Sequence, residues 1–434
     1  MGCQASPFTS PSWLAATLLL ALASNTARAQ DDLRADEAIR AADWVAYANF
    51  DLAGADGERA WLRGGFGKAR FGGRAVDRDD GFAIRPHATE FGIAWQPHLT
   101  WSLGATVAAI AQEGQQHSID LSQAYLTFKP MPAGPMRLSA RAGLFWAPVS
   151  LEHSGPEWAV RDTITPSAIN AWIGEEVKLA GVEGTAAGMF GSHRLTASVA
   201  LFAENDTAGT LLAFRGWALH DEKATAFGTQ PLPVLNPFMQ FVQAARTRPL
   251  IELDSRAGYY IKLVWAPPGP FELQALHYDN RGDPEVVNEY LQWGWRTRFD
   301  HLGVIVDVDP RTRLIAQGID GRTQMGFVEG NRRWVDTRFR SAFLLATRAV
   351  GDGSVSARIE AFDTRSRGSE LGPENSENGW AVTAAARKPL ASFATIGVEA
   401  LHVVSRRDAR ASEDLDPRQR QTIVRLQLRL RAAR

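Results

Sequence analysis

Arginine is the residue type in this chain with the clearest chemical potential. Of the 47 basic residues only six are lysines, which leaves 41 arginines. Ten of them fall on the polar rows of segments in which polar and apolar residues alternate: Arg137, Arg141, Arg194, Arg296, Arg298, Arg338, Arg340, Arg358, Arg425 and Arg429. A guanidinium fork suits carboxylates and phosphates, so these rows predict a basic pore wall that draws in anions. The alternative is a solvated wall in which the arginines only pair with Glu360, Asp300 and Asp336.

A second group of candidate residues lies in segment 148–174, which breaks the alternation. The constriction residues predicted there are Glu152, Glu157, Asp162 and Trp172, and Glu175 and Glu176 follow. The residues from Pro166 to Trp172 predict a short helix with Thr165 as its N-cap and Pro166 in its first position. A long link with its own secondary structure is usually functional. We therefore expect it to fold into a barrel lumen, where its acids narrow the pore and oppose the arginines. The alternative is an outward surface loop.

Motifs for catalysis and metal binding fail on spacing. Gly64–Ala69 contains a Gly-Lys pair, but Leu62 and Ala69 stand where a P-loop needs Gly and Ser or Thr. The nine histidines show no H-E-x-x-H spacing and no G-x-S-x-G is present. The sequence therefore predicts no enzyme, no metal site and no cofactor, although a hydrolase built on another scheme stays open.

The elements that must position these residues are strands. From about residue 42 onward, stretches of 9–13 residues alternate in polarity and end at Gly, Pro, Asn or Asp, as in Leu99–Ala109 and Leu138–Trp146, and Val424–Leu430 near the C-terminus alternates in the same way. This length suits a tilted transmembrane strand of about 9–11 residues better than a sandwich strand of about 5–6. We predict an all-β, antiparallel transmembrane barrel of 16–18 strands, with 205–218 and 290–309 as the ambiguous regions.

Two further patterns support a membrane barrel. Aromatics lie toward strand ends, as an interfacial girdle requires: Trp95, Trp101, Trp146, Trp265, Phe271, Trp293 and Trp380. Links alternate between tight ones, such as 96–98 and 266–270, and long ones, such as 148–174, 219–255 and 365–378. Short periplasmic turns and long outer loops give this asymmetry.

The N-terminus predicts export. Leu14–Ala23 is an apolar run of ten residues, followed by Ala27-Arg28-Ala29, which fits a signal peptide cleaved after Ala29. The predicted organisation is thus a signal peptide, 1–29, and one barrel, 30–434. The only cysteine, Cys3, lies in the removed segment, so the mature chain has no disulfide or cysteine ligand. A formal net charge of −1 argues against nucleic-acid binding.

Short motifs give a family resemblance. Ala124-Tyr125-Leu126-Thr127-Phe128, then Arg141–Pro148, then Thr165-Pro166-Ser167 resemble the phosphate-selective porin O/P-like group of Gram-negative porins. In that group a G-x-F-x-x-P pattern leads from a strand into a loop, as Gly143, Phe145 and Pro148 do here. The resemblance implies an outer-membrane channel and, as one option, a homotrimer. Whether phosphate is preferred stays open.

Together these patterns predict a porin in the outer membrane of a Gram-negative bacterium. Small hydrophilic solutes, with anions as one option, would diffuse passively through it. Its other expected partners are outer-membrane lipid and, as one option, further copies of the chain in a homotrimer. The alternative is a non-conducting structural or surface-binding barrel whose lumen is plugged by 219–255. A soluble periplasmic β-protein is a third possibility.

Overall fold

The computed structural model describes residues 43–73, 82–132 and 134–434. Sixteen antiparallel strands close into one barrel, with each strand paired to its neighbours in sequence and β16 paired to β1. The first eight strands are β1 (Trp44–Ala55), β2 (Ala83–Trp95), β3 (Leu103–Gln112), β4 (Asp120–Phe128), β5 (Met136–Trp146), β6 (Lys178–Phe190), β7 (His193–Ala203) and β8 (Gly258–Ala266). The other eight are β9 (Phe271–Asp279), β10 (Arg296–Asp309), β11 (Thr312–Glu329), β12 (Arg332–Val350), β13 (Gly353–Ser366), β14 (Glu377–Ala391), β15 (Ala394–Arg407) and β16 (Arg418–Ala433). The predicted all-β antiparallel barrel is confirmed, at the lower of the predicted strand counts.

Alternation of side chains divides each strand between the outside and the lumen. On β7, Leu195, Val199 and Leu201 are exposed outward, whereas Ala200 and Phe202 are buried inside. A two-residue period on a closed sheet produces this division without a second sheet. The apolar rows therefore form an outer belt around the barrel.

The links between strands differ at the two ends of the barrel. One end, here called the turn end, carries 96–102, the described residues 129–132 and 134–135, 191–192, 267–270, 310–311, 351–352 and 392–393. The opposite end, the loop end, carries the described residues 56–73, then 113–119, 147–177, 204–257, 280–295, 330–331, 367–376 and 408–417. The predicted tight links lie at the turn end and the predicted long ones at the loop end.

The predicted aromatic girdle is present in part. Exposed aromatics lie at the turn end at Trp95, Trp101, Trp265 and Phe271, and Trp380 is exposed near the loop end of β14. The prediction is wrong for Trp146 and Trp293, which are buried. Trp146 stacks against Trp158 of a loop, and Trp293 packs against Trp334, so tertiary contacts remove both from the outer surface.

The two ambiguous regions have different outcomes. Segment 205–218 is not a strand: it contains the helix α2 (Thr210–Arg215), all six residues of which are buried. The second region contains one unbroken strand, β10, which alternates without a bulge around His301. The apparent change of polarity arises because the outward row of β10 is charged at Arg296, Arg298 and Asp300 and becomes apolar from Leu302 onward.

The other helices are short. They are α1 (Ala168–Ile173), α3 (Met239–Val242) and two 3₁₀ turns, Trp61–Arg63 and Asp408–Glu413. Within the described ranges, no helix has the length and apolarity to cross a bilayer. The predicted signal peptide, its cleavage after Ala29 and Cys3 lie outside the described residues.

Candidate pore constriction

Segment 147–177, here called the inward loop, links β5 to β6 and folds into the lumen. All six residues of α1 are buried. The Trp172 ring lies 4.9 Å from that of Phe339 on β12 and 6.0 Å from that of Phe299 on β10, measured between centroids. Helix and wall belong to one apolar cluster that reaches from β5 to β15. The predicted inward fold is confirmed, and the outward alternative is wrong.

The N-cap of α1 differs from the prediction by two residues. Ser167, and not Thr165, caps the helix, with its side chain accepting a hydrogen bond from the Asn170 N–H. Pro166 precedes the cap and is not in the first helical position. Thr165 is held against the wall instead: its N–H donates to the Glu399 carboxylate on β15, and its hydroxyl accepts a hydrogen bond from Arg425 on β16 at 3.2 Å.

Arg358 on β13 is the main anchor of the inward loop, and its side chain is fully buried. Its guanidinium donates to the Glu152 carboxylate at 2.9 Å and to the carbonyls of Thr165 and Pro166 at 2.9 and 3.0 Å. Its Nε contacts Glu360 at 3.0 Å. Charge-assisted, forked bonds of this kind are the stronger hydrogen bonds in proteins. One wall arginine therefore fixes the start of the helix.

Wall carboxylates hold the same backbone from the other side. Glu360 accepts the Ala168 N–H at 2.7 Å, and Glu399 accepts those of Ile164 at 2.6 Å and Thr165 at 3.0 Å. The Glu360 contact satisfies an amide of the first helical turn, which has no intrahelical acceptor, and the Glu399 contacts hold the loop backbone just before the helix. Sequence patterns placed Glu360 beside an arginine, as observed, but gave no sign of Glu399.

The predicted constriction acids are all buried and all paired. Besides Arg358, Glu152 accepts the Ser167 hydroxyl and the Asn170 amide, both at 2.6 Å. The partners of the other two are Arg429 at 3.3 Å and Arg431 at 2.8 Å for Glu157, and Arg161 at 2.9 Å for Asp162. Because each acid is neutralised locally, the acids fix the loop more than they set up a field across the pore.

Two other loops enter the lumen beside the inward loop. Residues 56–73, the first insertion, and 204–257, the central insertion, meet where Lys68 Nζ donates to the Trp217 carbonyl at 2.9 Å. Trp217 packs edge-on against Trp172, with centroids 5.9 Å apart. In the alternative hypothesis of a non-conducting barrel, residues 219–255 plug the lumen; the buried part of the central insertion begins earlier, at Asn205.

Buried ion pairs connect these insertions to the inward loop and the wall. Arg215 and His220 both bind Glu176, at 2.5 and 2.7 Å. Burial acts to raise the pKa of Glu176, but the adjacent Arg215 and His220 outweigh it and lower the pKa below its usual value. Arg425 on β16 reaches Asp221 at 2.8 Å and so ties the central insertion to the wall.

Six of the ten predicted wall arginines lie on inward rows: Arg137, Arg141, Arg194, Arg358, Arg425 and Arg429. Four of them pair with wall acids: Arg141 with Glu183 and Arg194 with Glu272 at 2.8 Å each, and Arg358 with Glu360 and Arg425 with Asp51 at 3.0 Å each. Their part in drawing anions stays a prediction.

The other four predicted wall arginines lie on the outer face, so their assignment to the pore is wrong: Arg296, Arg298, Arg338 and Arg340. Phe299 and Phe339 contact Trp172 inside the lumen, and each adjacent residue must face the opposite way. The predicted partners Asp300 and Asp336 are also outside. The prediction took the apolar row of these segments as the lipid-facing row. Phe299 and Phe339 in that row are instead buried inside the barrel, under the inward loop.

A cavity of about 400 Å³ opens at the turn end, below the inward loop. Four arginines line it, Arg161, Arg387, Arg429 and Arg431, against the carboxylates of Glu157 and Asp352. Arg387 also donates to the Arg161 carbonyl at 2.7 Å, which holds its guanidinium at the cavity. Arg387 and Arg431 were missed by sequence inspection, although the alternation of β14 and β16 places both on inward rows.

One group of acids in the described residues has the spacing of metal ligands. Oxygens of Asp206, Glu252 and Asp254 lie within 4.8 Å of one another in the central insertion. Burial, together with the adjacent acids, raises the pKa of Asp206 to about 7. The group has no link to the cavity in the described contacts.

The chain is similar to known proteins in its fold but not in its sequence. No family model matches the chain, and no curated protein matches its sequence. It is similar to a loop-deletion mutant of OmpT, an outer membrane protein of Vibrio cholerae, at 10% identity and a TM-score of 0.50, over 90% of this chain and 98% of that one. It is similar to the same extent, with the same figures, to an anion-selective porin from Comamonas acidovorans. The resemblance to the phosphate-selective group stays a prediction. The chain has a porin-like sixteen-stranded barrel fold.

Proposed function

We propose that the chain is a porin of the Gram-negative outer membrane, through which small hydrophilic solutes, and preferentially anions, diffuse passively. The observation that carries the preference is the cavity under the inward loop, where four arginines face two carboxylates. Arg sets at a pore mouth raise the local concentration of anions. The proposal treats the chain as a channel and not as an enzyme.

Three features support the membrane location and the channel. The barrel has an exposed apolar belt on its outer face, as a lipid-facing barrel requires. A barrel of sixteen strands is wide enough for an aqueous passage. Short turns at one end and long loops at the other match periplasmic and outer sides. The similar proteins are described as an outer membrane protein and a porin, and a homotrimer is part of the proposal.

Planar-bilayer recording of the refolded chain tests the proposal. Wild type should give channel steps and, in a salt gradient, a reversal potential of anion-selective sign. Replacing Arg387, Arg429 and Arg431 with Gln should move the reversal potential toward zero or to the cation side. The matched control is the Gln double variant of Arg311 and Arg348, which lie at the same end but on a turn and on the outer row. Absence of steps in several electrolytes, or an unchanged potential in the triple variant, contradicts the proposal.

A second candidate function is a non-conducting barrel. The observation that favours it is the apolar cluster that joins Leu232 and Met239 of the central insertion to Met325 and Val335 of the wall. Gln230–Pro231 pairs with Arg246–Thr247, so residues 232–245 can be removed with little strain and replaced by a short linker. If this deletion raises conductance from zero to measurable steps, the intact chain is a closed barrel.

A further inference from the structure

Four outward arginines stand in one row across four adjacent strands. The pairing register places Arg298 of β10 opposite Arg322 of β11, Arg322 opposite Arg338 of β12, and Arg338 opposite Arg365 of β13. All four belong to the outward rows of their strands. Strands lie about 4.8 Å apart, so the row is about 14 Å long.

The row lies above the apolar belt and is separated from it by one row of charged outward residues, Asp300, Asp320, Arg340 and Asp363. On the same outward rows, toward the turn end, Leu302, Leu344 and Ile359 are exposed. The strands β11 and β12 have 18 and 19 residues, whereas about 9–11 suffice to cross a membrane. An outward Arg costs about 2–4 kcal/mol at the midplane and about 0–1 near the interface. The arginine row therefore lies at the headgroup level of the leaflet on the loop-end side.

Like charges placed directly opposite each other destabilise a sheet, so the row needs compensation. Part of it comes from acids on adjacent rows: Asp336 binds Arg322, Asp320 binds Arg338 at 2.9 Å, and Asp363 binds Arg365 at 3.0 Å. Each guanidinium has five N–H donors. A single carboxylate partner can accept at most two or three of these hydrogen bonds. Unused donors remain along the row.

We propose that this row binds the phosphate groups of a lipid headgroup in the leaflet at the loop end. Forked guanidinium groups match phosphate oxygens, and the length of the row suits a headgroup that carries more than one phosphate. The acyl chains of the same lipid would lie on Leu302 and Leu344 below. The inference rests on the proposed function, because only a membrane-embedded barrel brings a leaflet to these residues.

The test is binding of diphosphoryl lipid A to the refolded full chain in detergent, followed by the shift in unfolding temperature. Phosphatidylcholine and inorganic phosphate are the comparison arms. An arginine at an anionic lipid surface contributes about 1 kcal/mol, or about fivefold in affinity. The Gln variant of all four arginines should therefore bind lipid A at least about 100-fold more weakly. The Gln double variant of Arg311 and Arg348, near the other rim, should bind as wild type does.

Each outcome decides the matter. Equal binding by wild type and the fourfold variant overturns the proposal. So does inorganic phosphate binding as tightly with the same arginine dependence, which would indicate a free-anion site. A loss of oligomer in light scattering, with lipid binding unchanged, would indicate a contact between copies. If the fourfold variant does not fold, the double variant R298Q/R365Q should show a loss of about 25-fold. Conductance should not change in either variant. Loss of lipid binding therefore tests the arginine row, whereas absence of conductance in the wild type tests the channel proposal.

Discussion

Replacing Arg358 with Gln should release the inward loop from the lumen. The side chain is fully buried and holds Glu152, Glu360 and the backbone before α1. Removing one partner of a buried ion pair costs about 3–5 kcal/mol because the remaining charge stays buried and uncompensated. At about 1.4 kcal/mol per tenfold change, the equilibrium between inserted and released loop should shift by about 10² to 10⁴ toward release. The barrel hydrogen bonds are untouched, so the loss should be local.

Limited trypsin digestion of the refolded chain measures this shift, because Arg161 is a cleavage site within the inward loop. The variant should be cut after Arg161 faster than wild type, and its single-channel current should be larger or noisier. Arg194→Gln is the matched control. Arg194 is also an inward arginine in an ion pair, with Glu272, but it is one-third exposed and has no contact with the loop among the described bonds. An exposed pair of this kind contributes about 0.2–1 kcal/mol, so the control should behave as wild type does.

If Arg358→Gln leaves both the cleavage rate and the current unchanged, Arg358 does not hold the inward loop in the lumen. Global unfolding of the variant, seen as loss of the heat-modifiable barrel on gels, would also refute a local role. Arg358→Lys keeps the charge without the fork and should lie between wild type and the Gln variant.

Three further changes have defined outcomes. Trp172→Ala should destabilise the inserted loop by about 3–5 kcal/mol through the cavity it leaves, measured by the same digestion; unchanged digestion would show that the ring contributes no packing. Gly321→Ala should displace the Phe339 ring, since a Cβ there would lie 2.4 Å from it, and should lower the unfolding temperature of the barrel. Burial and adjacent acids raise the pKa of Asp206 to about 7, so its stabilisation is complete below about pH 4 and is lost as the pH rises through 7. Asp206→Asn should abolish this pH dependence in denaturant unfolding, and persistence of the slope would contradict the assignment.

The barrel and its strands follow from local pattern. A period of two residues, held over the length of a membrane strand, depends only on adjacent side chains and is therefore visible in sequence. Arg358, Arg425 and Arg429 lie on the predicted inward rows for that reason. The same alternation places Arg387 and Arg431 on inward rows, so these two residues were also predictable from the sequence.

The inward fold of 147–177 was predictable because a long link with its own helix needs a place to pack. Its contacts were not predictable. Glu399 and Arg358 lie more than 190 residues from the backbone that they hold, and no local pattern records such a pairing. The N-cap is Ser167 and not Thr165 for the same reason, since the Thr165 hydroxyl accepts a hydrogen bond from Arg425 of the wall.

The sequence by itself determined the barrel, the two unequal ends and the rows of each strand, because these depend on neighbours along the chain. Only the tertiary structure decided which row of β10 and β12 faces inward. Apolar residues normally mark the lipid side, but Phe299 and Phe339 lie on lumen rows, where Trp172 covers them. Their arginine neighbours consequently lie outside, above the belt. Alternation along a strand shows that its two rows of side chains face different environments. Which row faces lipid, water or an inserted loop depends on the segments that have folded into the barrel.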